Sequence, residues 1–282
     1  MNLNSWLIVG MVVVLTGCGT IRRTALSGAA SAFTGDSAIT AFMSEEDPGL
    51  IRDALPFALK TAEILSLEDP ENPALKLAAG QMYVQYANAF LDMEADYVQD
   101  KDFAEARDLR RRASNMYWKG RGFLCEALDL RQPGFKNQVD LEPEKVLGEL
   151  NKQDVPYLYW CAAGWAGSIK TDPGNLSRVA DLPVVKALIQ VALSLDPEYD
   201  AGALHVLMIS LEGGLGEEMG GNPAAARRHF DEAVRLSDGQ HAGPYLSLAE
   251  SVAIAEQNVE EFQGLVEVAL AVDSDARPEW RL

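Results

Sequence analysis

The sequence predicts an all-α protein organised as an array of antiparallel helix pairs. Three observations favour this fold class. Ala, Leu, Glu and Arg dominate the chain after residue 36, and no stretch longer than a few residues alternates with a period of two. Pro and Gly gather between the helical stretches. Similar phrases recur at the ends of the helices, which indicates repeated helical units.

The first element is a hydrophobic N-terminal segment with the length of a signal peptide. Residues 1–21 carry no charged side chain, and residues 6–15 form an apolar run shorter than the about 20 residues that span a bilayer. The run ends in LTGC at residues 15–18, which resembles the lipobox of bacterial lipoproteins. The resemblance implies cleavage between Gly17 and Cys18, a lipid on the Cys18 sulfur and, because Asp does not follow the cysteine, localisation at the outer membrane. A plain hydrophobic tail is the alternative interpretation.

The chain therefore divides into three predicted parts: a signal peptide at residues 1–17, a lipidated linker at 18–36 and a TPR-like helical domain at 37–282. In the helical domain, Asp47-Pro48 and Asn72-Pro73 each place a capping side chain before a proline suited to the first helical turn. Further helices are predicted at residues 102–129, 154–170, 182–195, 199–213, 222–237, 242–256 and 258–272.

The repeated helix ends carry a spacing typical of tetratricopeptide repeats (TPR). The aliphatic residues Leu195, Leu236 and Val272 close three such phrases and lie 41 and 36 residues apart, near the 34-residue TPR period. Residues 226–233 match the A-x3-F-x2-A pattern of a second TPR helix, in which small residues let paired helices approach. The sequence thus predicts a TPR-like array, and a plain helical bundle is the alternative.

The charge balance and the missing motifs exclude several classes of function. The 282 residues include 42 acidic and 24 basic side chains, a net charge of −18. Such an excess of acid repels phosphate backbones and anionic lipids, so we expect no nucleic-acid partner and no charge-driven membrane binding. The sequence contains no phosphate-binding P-loop, no G-x-S-x-G nucleophile elbow and no zinc motif. We expect a non-enzymatic protein with no cofactor or metal.

Aromatic side chains suggest where a ligand could bind. Candidate cavity-lining residues are those of the predicted helix at 154–170 and of the helix before it, namely Tyr157, Trp160, Trp165, Tyr117 and Trp118. Ligand cavities combine large apolar walls with a few polar points, and small residues beside these aromatics leave room for one. Ordinary core packing beneath an aromatic stripe is the alternative interpretation.

A run of basic residues between positions 107 and 121 is the local exception to the acidic balance. Arg107 and Arg111 are candidates for contacting an anionic ligand, because a guanidinium group binds a carboxylate through two hydrogen bonds. The alternative is a solvated helix face paired with nearby acidic residues. Cys125 and Cys161 are candidates for a disulfide in an oxidising compartment, and two separate buried thiols are the alternative there.

Five phrases taken together resemble one family. They are residues 47–77, 83–90 (YVQYANAF), 157–169 (YLYWCAAGWAGSI), 195–205 (LDPEYDAGALH) and 220–239 (GGNPAAARRHFDEAVRLSDG). In this order they resemble the T component of TRAP transporters (the TatT family), exported lipoproteins with TPR-like repeats. Family members run on with a further helix, so the resemblance implies that this sequence ends within its last repeat.

The resemblance implies a function. It implies a periplasmic accessory protein, tethered to the membrane by lipid on Cys18, that binds a TRAP-type solute-binding protein and hands over a small hydrophobic or organic-acid ligand. It also makes self-association of the chain an expectation. A generic TPR-like scaffold for envelope protein assembly is the alternative, and an enclosed aromatic-lined tunnel would favour the first function over the second.

Overall fold

The regular structure of the described residues is helical, which confirms the all-α prediction. In a computed structural model, residues 28, 36–139 and 143–280 are described. The predicted signal peptide (residues 1–17), Cys18 and nearly all of the predicted linker lie outside them. The α-helices are α1 Asp36–Met43, α2 Pro48–Glu68, α3 Pro73–Ala87, α4 Met93–Val98, α5 Phe103–Arg131, α6 Phe135–Gln138, α7 Pro143–Leu147, α8 Val155–Lys170, α9 Leu176–Val179, α10 Leu182–Leu195, α11 Ala203–Gly214, α12 Pro223–Leu236, α13 Ala242–Leu248 and α14 Val259–Leu270.

The predicted Asx-Pro helix starts are confirmed. The Asp47 carboxylate accepts hydrogen bonds from the backbone N–H groups of Gly49 and Leu50, at 2.9 and 3.2 Å. Asn72 caps α3 in the same way, and Asn222 caps α12. Each cap satisfies donors that the first helical turn leaves unpaired, so the sequence signal and the helix start coincide.

The helix predicted at residues 199–213 begins later than expected. Residues 199–202 form a 3-10 turn in which Asp200, Ala201 and Gly202 have φ angles of 46°, 48° and 101°. These left-handed conformations cannot continue a right-handed helix, so α11 begins at Ala203. A Cβ on Gly202 would lie 3.2 Å from the Cα of Ala233 in α12, which shows how closely the turn meets that helix.

Two helices contain a π-helical turn that the periodicity does not predict. The first π segment, Asn88–Asp92, lies between α3 and α4, and the second π segment, Ala249–Ala253, continues α13 within the predicted helix at 242–256. In the second, the N–H of Ile254 donates to the carbonyl of Ala249 at 3.2 Å. The extra residue in each turn rotates the following side chains relative to an α-helix, and such turns are frequent at functional sites.

Helices that follow one another in the chain pack against one another. α2 packs on α3, α3 on α5, α5 on α8, α8 on α10, α10 on α11, α11 on α12 and α13 on α14. At the ends of the described chain, α1 contacts the turn Pro278–Trp280. This order of contacts is the one expected of a helical array, while the TPR-like repeat itself stays a prediction. No helix of residues 36–139 and 143–280 has both the length and the apolar character to cross a bilayer.

The centre of the fold is a close crossing of α3, α5 and α8 at glycines. A Cβ on Gly120 would lie 2.9 Å from the carbonyl oxygen of Gly80 and 3.0 Å from a methyl carbon of Val84. A Cβ on Gly164 would lie 2.9 Å from the same Val84 side chain, and one on Gly167 would lie 2.5 Å from the Tyr117 ring. Only glycine permits these approaches, because added atoms in a packed interior force helices apart.

We therefore expect Gly120→Ala to lower the free energy of unfolding by about 1–3 kcal/mol. Gly122→Ala is the matched control on the same helix, because a Cβ there meets nothing within 4 Å. Alanine favours helix over glycine, so this control should stabilise the protein by about 0.5–1 kcal/mol. Urea denaturation measures both variants, and equal stability of the two would contradict the glycine crossing.

Candidate functional site

A cavity of about 890 Å³ lies among the helices. Its lining residues come from α1, α2, α3, α5, α8, α11 and both π segments, so elements from most of the chain surround it. The volume lies in the range of pockets that hold small organic ligands. The cavity is therefore the candidate functional site.

The walls of the cavity are largely apolar. Ile51 and Leu55 of α2, Met82 of α3, and Leu207 and Leu211 of α11 line it. The facing side of α8 contributes Ala163 and Ala166, whose small side chains help to leave the space open, and Gly167, against which the Tyr117 ring packs. Such walls suit an apolar ligand body, because contact there removes apolar surface from water.

Charged side chains line one part of the cavity. Asp92 ends the first π segment, and only 4% of its side chain is exposed to solvent. The Lys170 ammonium at the end of α8 lies 3.0 Å from the Asp92 carboxylate. Burial opposes charge on this lysine, but the attraction of Asp92 outweighs it and raises the pKa of Lys170. Glu250 of the second π segment also lines the cavity, and burial raises the pKa of its carboxyl group.

Tyr117 connects this charged part to the glycine crossing. Its hydroxyl lies 3.2 Å from the Asn88 side-chain oxygen and 3.5 Å from the Asp92 carboxylate. Burial, followed by the negative charge of Asp92, raises the pKa of Tyr117 well above its usual range. The phenol therefore stays protonated at neutral pH and acts as a hydrogen-bond donor.

Two of the five predicted cavity aromatics line the cavity and three lie elsewhere. Trp160 and Tyr117 line it. Trp165 is fully buried; its Nε1 donates to Asp181 at 3.1 Å, and the Arg121 guanidinium lies 3.6 Å from its ring centroid. Trp165 therefore packs between α8 and the start of α10 instead of facing the ligand space.

Tyr157 and Trp118 also lie outside the cavity lining. Arg131 lies 4.8 Å from the centroid of the buried Tyr157 ring. Trp118, which is 36% exposed, lies between the guanidinium groups of Arg121 and Arg178, at 4.6 and 4.5 Å from its centroid. Cation–π contacts of this kind stabilise helix packing, so these aromatics have structural partners that the sequence did not reveal.

The basic run of α5 faces outward rather than into the cavity. Arg107 and Arg111 are exposed, and Arg111 forms an ion pair with Asp108 one turn away. Arg110 pairs with Asp96 at 2.8 Å. Neither Arg107 nor Arg111 is among the residues that line the cavity. The arrangement agrees with a solvated, ion-paired helix face, and anion binding by these two residues stays a prediction.

A comparison with known protein families identifies the family. The model of the TRAP transporter T-component family matches residues 44–282, which is most of the chain. The chain belongs to the TRAP transporter T-component family. Membership associates it with a TRAP transport system.

A relative of this family member occurs in Treponema pallidum (strain Nichols). That protein is described as uncharacterized, and the two sequences are 27% identical over 245 residues. The aligned region covers 86% of this chain and 76% of the relative, so the likeness extends over most of both proteins.

The two cysteines of the T-component helices meet between α5 and α8. The sulfurs of Cys125 and Cys161 lie 3.0 Å apart, and both side chains are buried. The pair lies in the main core cluster together with Leu124, Leu158 and Trp165. This distance brings the two sulfurs close enough to bond after a small adjustment of the side chains.

We expect the pair to form a disulfide when the protein matures in an oxidising compartment. In a Cys18→Ser variant, unreduced and denatured protein should contain no reactive thiol, and reduction should reveal two. Reduction should also lower the free energy of unfolding by about 2–4 kcal/mol, because it releases a constraint on the unfolded chain. Two reactive thiols before reduction would show that the cysteines are separate.

A second pair of titratable residues joins α11 to α12. The Nδ1 atoms of His205 and His229 lie 2.9 Å apart, so one ring donates a proton to the other. Burial lowers the pKa of both rings, and the neighbouring His205 lowers that of His229 further. Residues 36–139 and 143–280 contain no group of three His, Cys, Asp or Glu side chains that could hold a metal ion.

This pair predicts a pH dependence of stability. The folded-state pKa of each ring lies below its ordinary value of 6.5. As the pH falls through that value, the unfolded chain therefore binds more protons than the folded protein does. The free energy of unfolding should therefore decrease from pH 7 to pH 5. Denaturant titrations of the wild type and of His205→Gln/His229→Gln measure this, and an unchanged pH slope in the double variant would contradict the assignment.

Proposed function

We propose that this T-component is a non-enzymatic, lipid-anchored periplasmic accessory protein of a TRAP-type transport system. Lipid on Cys18 holds it at the outer membrane. It binds the solute-binding protein of that system and holds a small, mainly hydrophobic ligand in the cavity. The family supports the association with a TRAP system, and the cavity supports the role in ligand binding.

The cavity is the observation that carries the proposal. A scaffold for envelope assembly needs only an exposed surface, whereas here elements from most of the chain surround about 890 Å³ of largely apolar space. Trp160 and Tyr117 give this space aromatic walls. A largely apolar cavity of this volume favours ligand binding over the generic scaffold.

The group formed by Asp92, Lys170 and Tyr117 supports binding rather than catalysis. Asp92 and Lys170 satisfy each other at 3.0 Å, and Tyr117 adds its hydroxyl to the same carboxylate at 3.5 Å. A general acid or base works with a pKa near the ambient pH, while burial and Asp92 move the pKa of Tyr117 away from that range. These groups are therefore arranged to orient a ligand.

A stripe of exposed apolar residues on α2 supports the contact with a protein partner. Leu50, Phe57 and Ile64 are 54%, 79% and 58% exposed, and their spacing of seven residues places them on one helix face. A contiguous stripe of exposed apolar residues is typical of a surface that contacts another protein. We assign this stripe to the solute-binding protein, and self-association of the chain is the other outcome of the test.

Native mass spectrometry of protein extracted from its own host, with and without a TRAP-type solute-binding protein of that host, tests both parts. The wild type should carry a small-molecule adduct and the bound partner. Ala166→Phe fills the cavity and should lose the adduct while it keeps the partner. Phe57→Glu should weaken partner binding about tenfold or more and keep the adduct.

Two results would contradict the proposal. Absence of an adduct from every preparation would remove the ligand-binding role. A Phe57→Glu variant that loses only self-association would show that the α2 stripe contacts a second copy of the chain and not the solute-binding protein. Glu105→Ser, an exposed substitution on α5, is the control that should change neither result.

A further inference from the structure

Both π segments contribute a carboxylate to the cavity. Asp92 ends the first π segment and Glu250 lies in the second, and both residues line the same space. The segments are far apart in sequence, and the charges of Lys170 and Asp92 both act on the Glu250 carboxyl group and shift its pKa in opposite directions. π turns are rare overall but are frequent at functional sites. The presence of both π segments at one cavity therefore favours this part of the cavity as a ligand site.

The charges in this part of the cavity do not cancel. Lys170 is the one cation among the described residues that line the cavity, and its ammonium is already paired with Asp92 at 3.0 Å. The neighbouring Asp96 is paired with Arg110 at 2.8 Å. Within the described residues, Glu250 has no hydrogen bond or ion pair of its own. Glu250 is exposed and feels the charge of Lys170 only at a distance, so its carboxylate has no counter-ion in direct contact.

This surplus charge decides which head group a ligand can carry. A carboxylate head would meet Glu250 as a like charge and would find Lys170 already neutralised. A purely apolar ligand would cover Glu250 and remove it from water without compensation, which costs free energy. An ammonium head would give the Glu250 carboxylate a counter-ion in direct contact. The net charge of −18 on the whole chain also favours a cationic ligand over an anionic one.

We propose that the cavity selects amphipathic amines, with Glu250 as the counter-ion of the ammonium head and the apolar walls of α8 and α11 around the tail. The proposal rests on the cavity being a ligand site, as argued above, and it names the class of ligand. Asn88 lines the cavity one turn before Asp92, and its side-chain oxygen offers the ammonium group a further acceptor. This preference for an ammonium head group is the opposite of the preference for a carboxylate head group that a site for organic acids would show.

Isothermal titration calorimetry with three probes of equal tail length tests this ligand class. Decylammonium, decanol and decanoate are titrated below their critical micelle concentrations into the full chain. Decylammonium should bind about tenfold more tightly than decanol, because a charge-assisted hydrogen bond is stronger than a neutral one. Decanoate should bind more weakly than decanol.

A pair of charge-neutralising variants tests the residue. Glu250→Gln should lower the affinity for decylammonium about tenfold and leave that for decanol unchanged. Glu260→Gln removes the same charge from the exposed start of α14 and should change neither affinity. The thermal unfolding midpoint of each variant shows whether it is folded, and the three-probe comparison on the wild type decides the ligand class independently of any variant.

The outcomes separate this inference from the proposed function. Decanoate binding as tightly as decylammonium overturns the inference and leaves the cavity a ligand site. Equal loss of all three probes in Glu250→Gln also overturns it, because the carboxylate would then support the cavity rather than the head group. Binding of none of the probes to the wild type overturns the inference and the ligand-binding function together.

Discussion

The backbones of α3 and α5 meet at Gly80 and Gly120, where a Cβ on Gly120 would lie 2.9 Å from the carbonyl oxygen of Gly80. α8 meets the same crossing at Gly164 and Gly167. The small helix separation holds the Tyr117 ring against Gly167, and this places the phenol hydroxyl beside Asp92. The crossing borders the cavity directly, because Val84, Tyr117 and Gly167 belong to the crossing and also line the cavity.

The sequence predicts the helices better than their irregularities. Asp47, Asn72 and Asn222 cap the helices that they were expected to cap, because capping depends on a local hydrogen bond between a side chain and the next turn. The turn at 199–202 and the two π segments were not predicted. The turn packs closely against Ala233 of α12, a residue distant in sequence, so its conformation has no local signal.

In the cavity, too, the sequence predicts local features but not the contacts between residues that are far apart in the chain. Helical spacing places Trp160 and Trp165 on the same short helix, yet only the first lines the cavity, because Asp181 and Arg121 hold the second in the core. Asp92, Lys170 and Glu250 are far apart in sequence, so nothing in their spacing predicts that they meet. In the basic run of α5, Arg110 and Arg111 pair with nearby carboxylates, whereas Arg121 packs on Trp165, a difference that their spacing does not reveal.

The position of α1 has a mechanical consequence. This helix follows directly on the N-terminal segment, contributes Phe42 and Met43 to the cavity wall, and contacts the turn Pro278–Trp280 near the other end of the chain. A pulling force applied to the N-terminal segment would therefore act on the wall of the cavity itself.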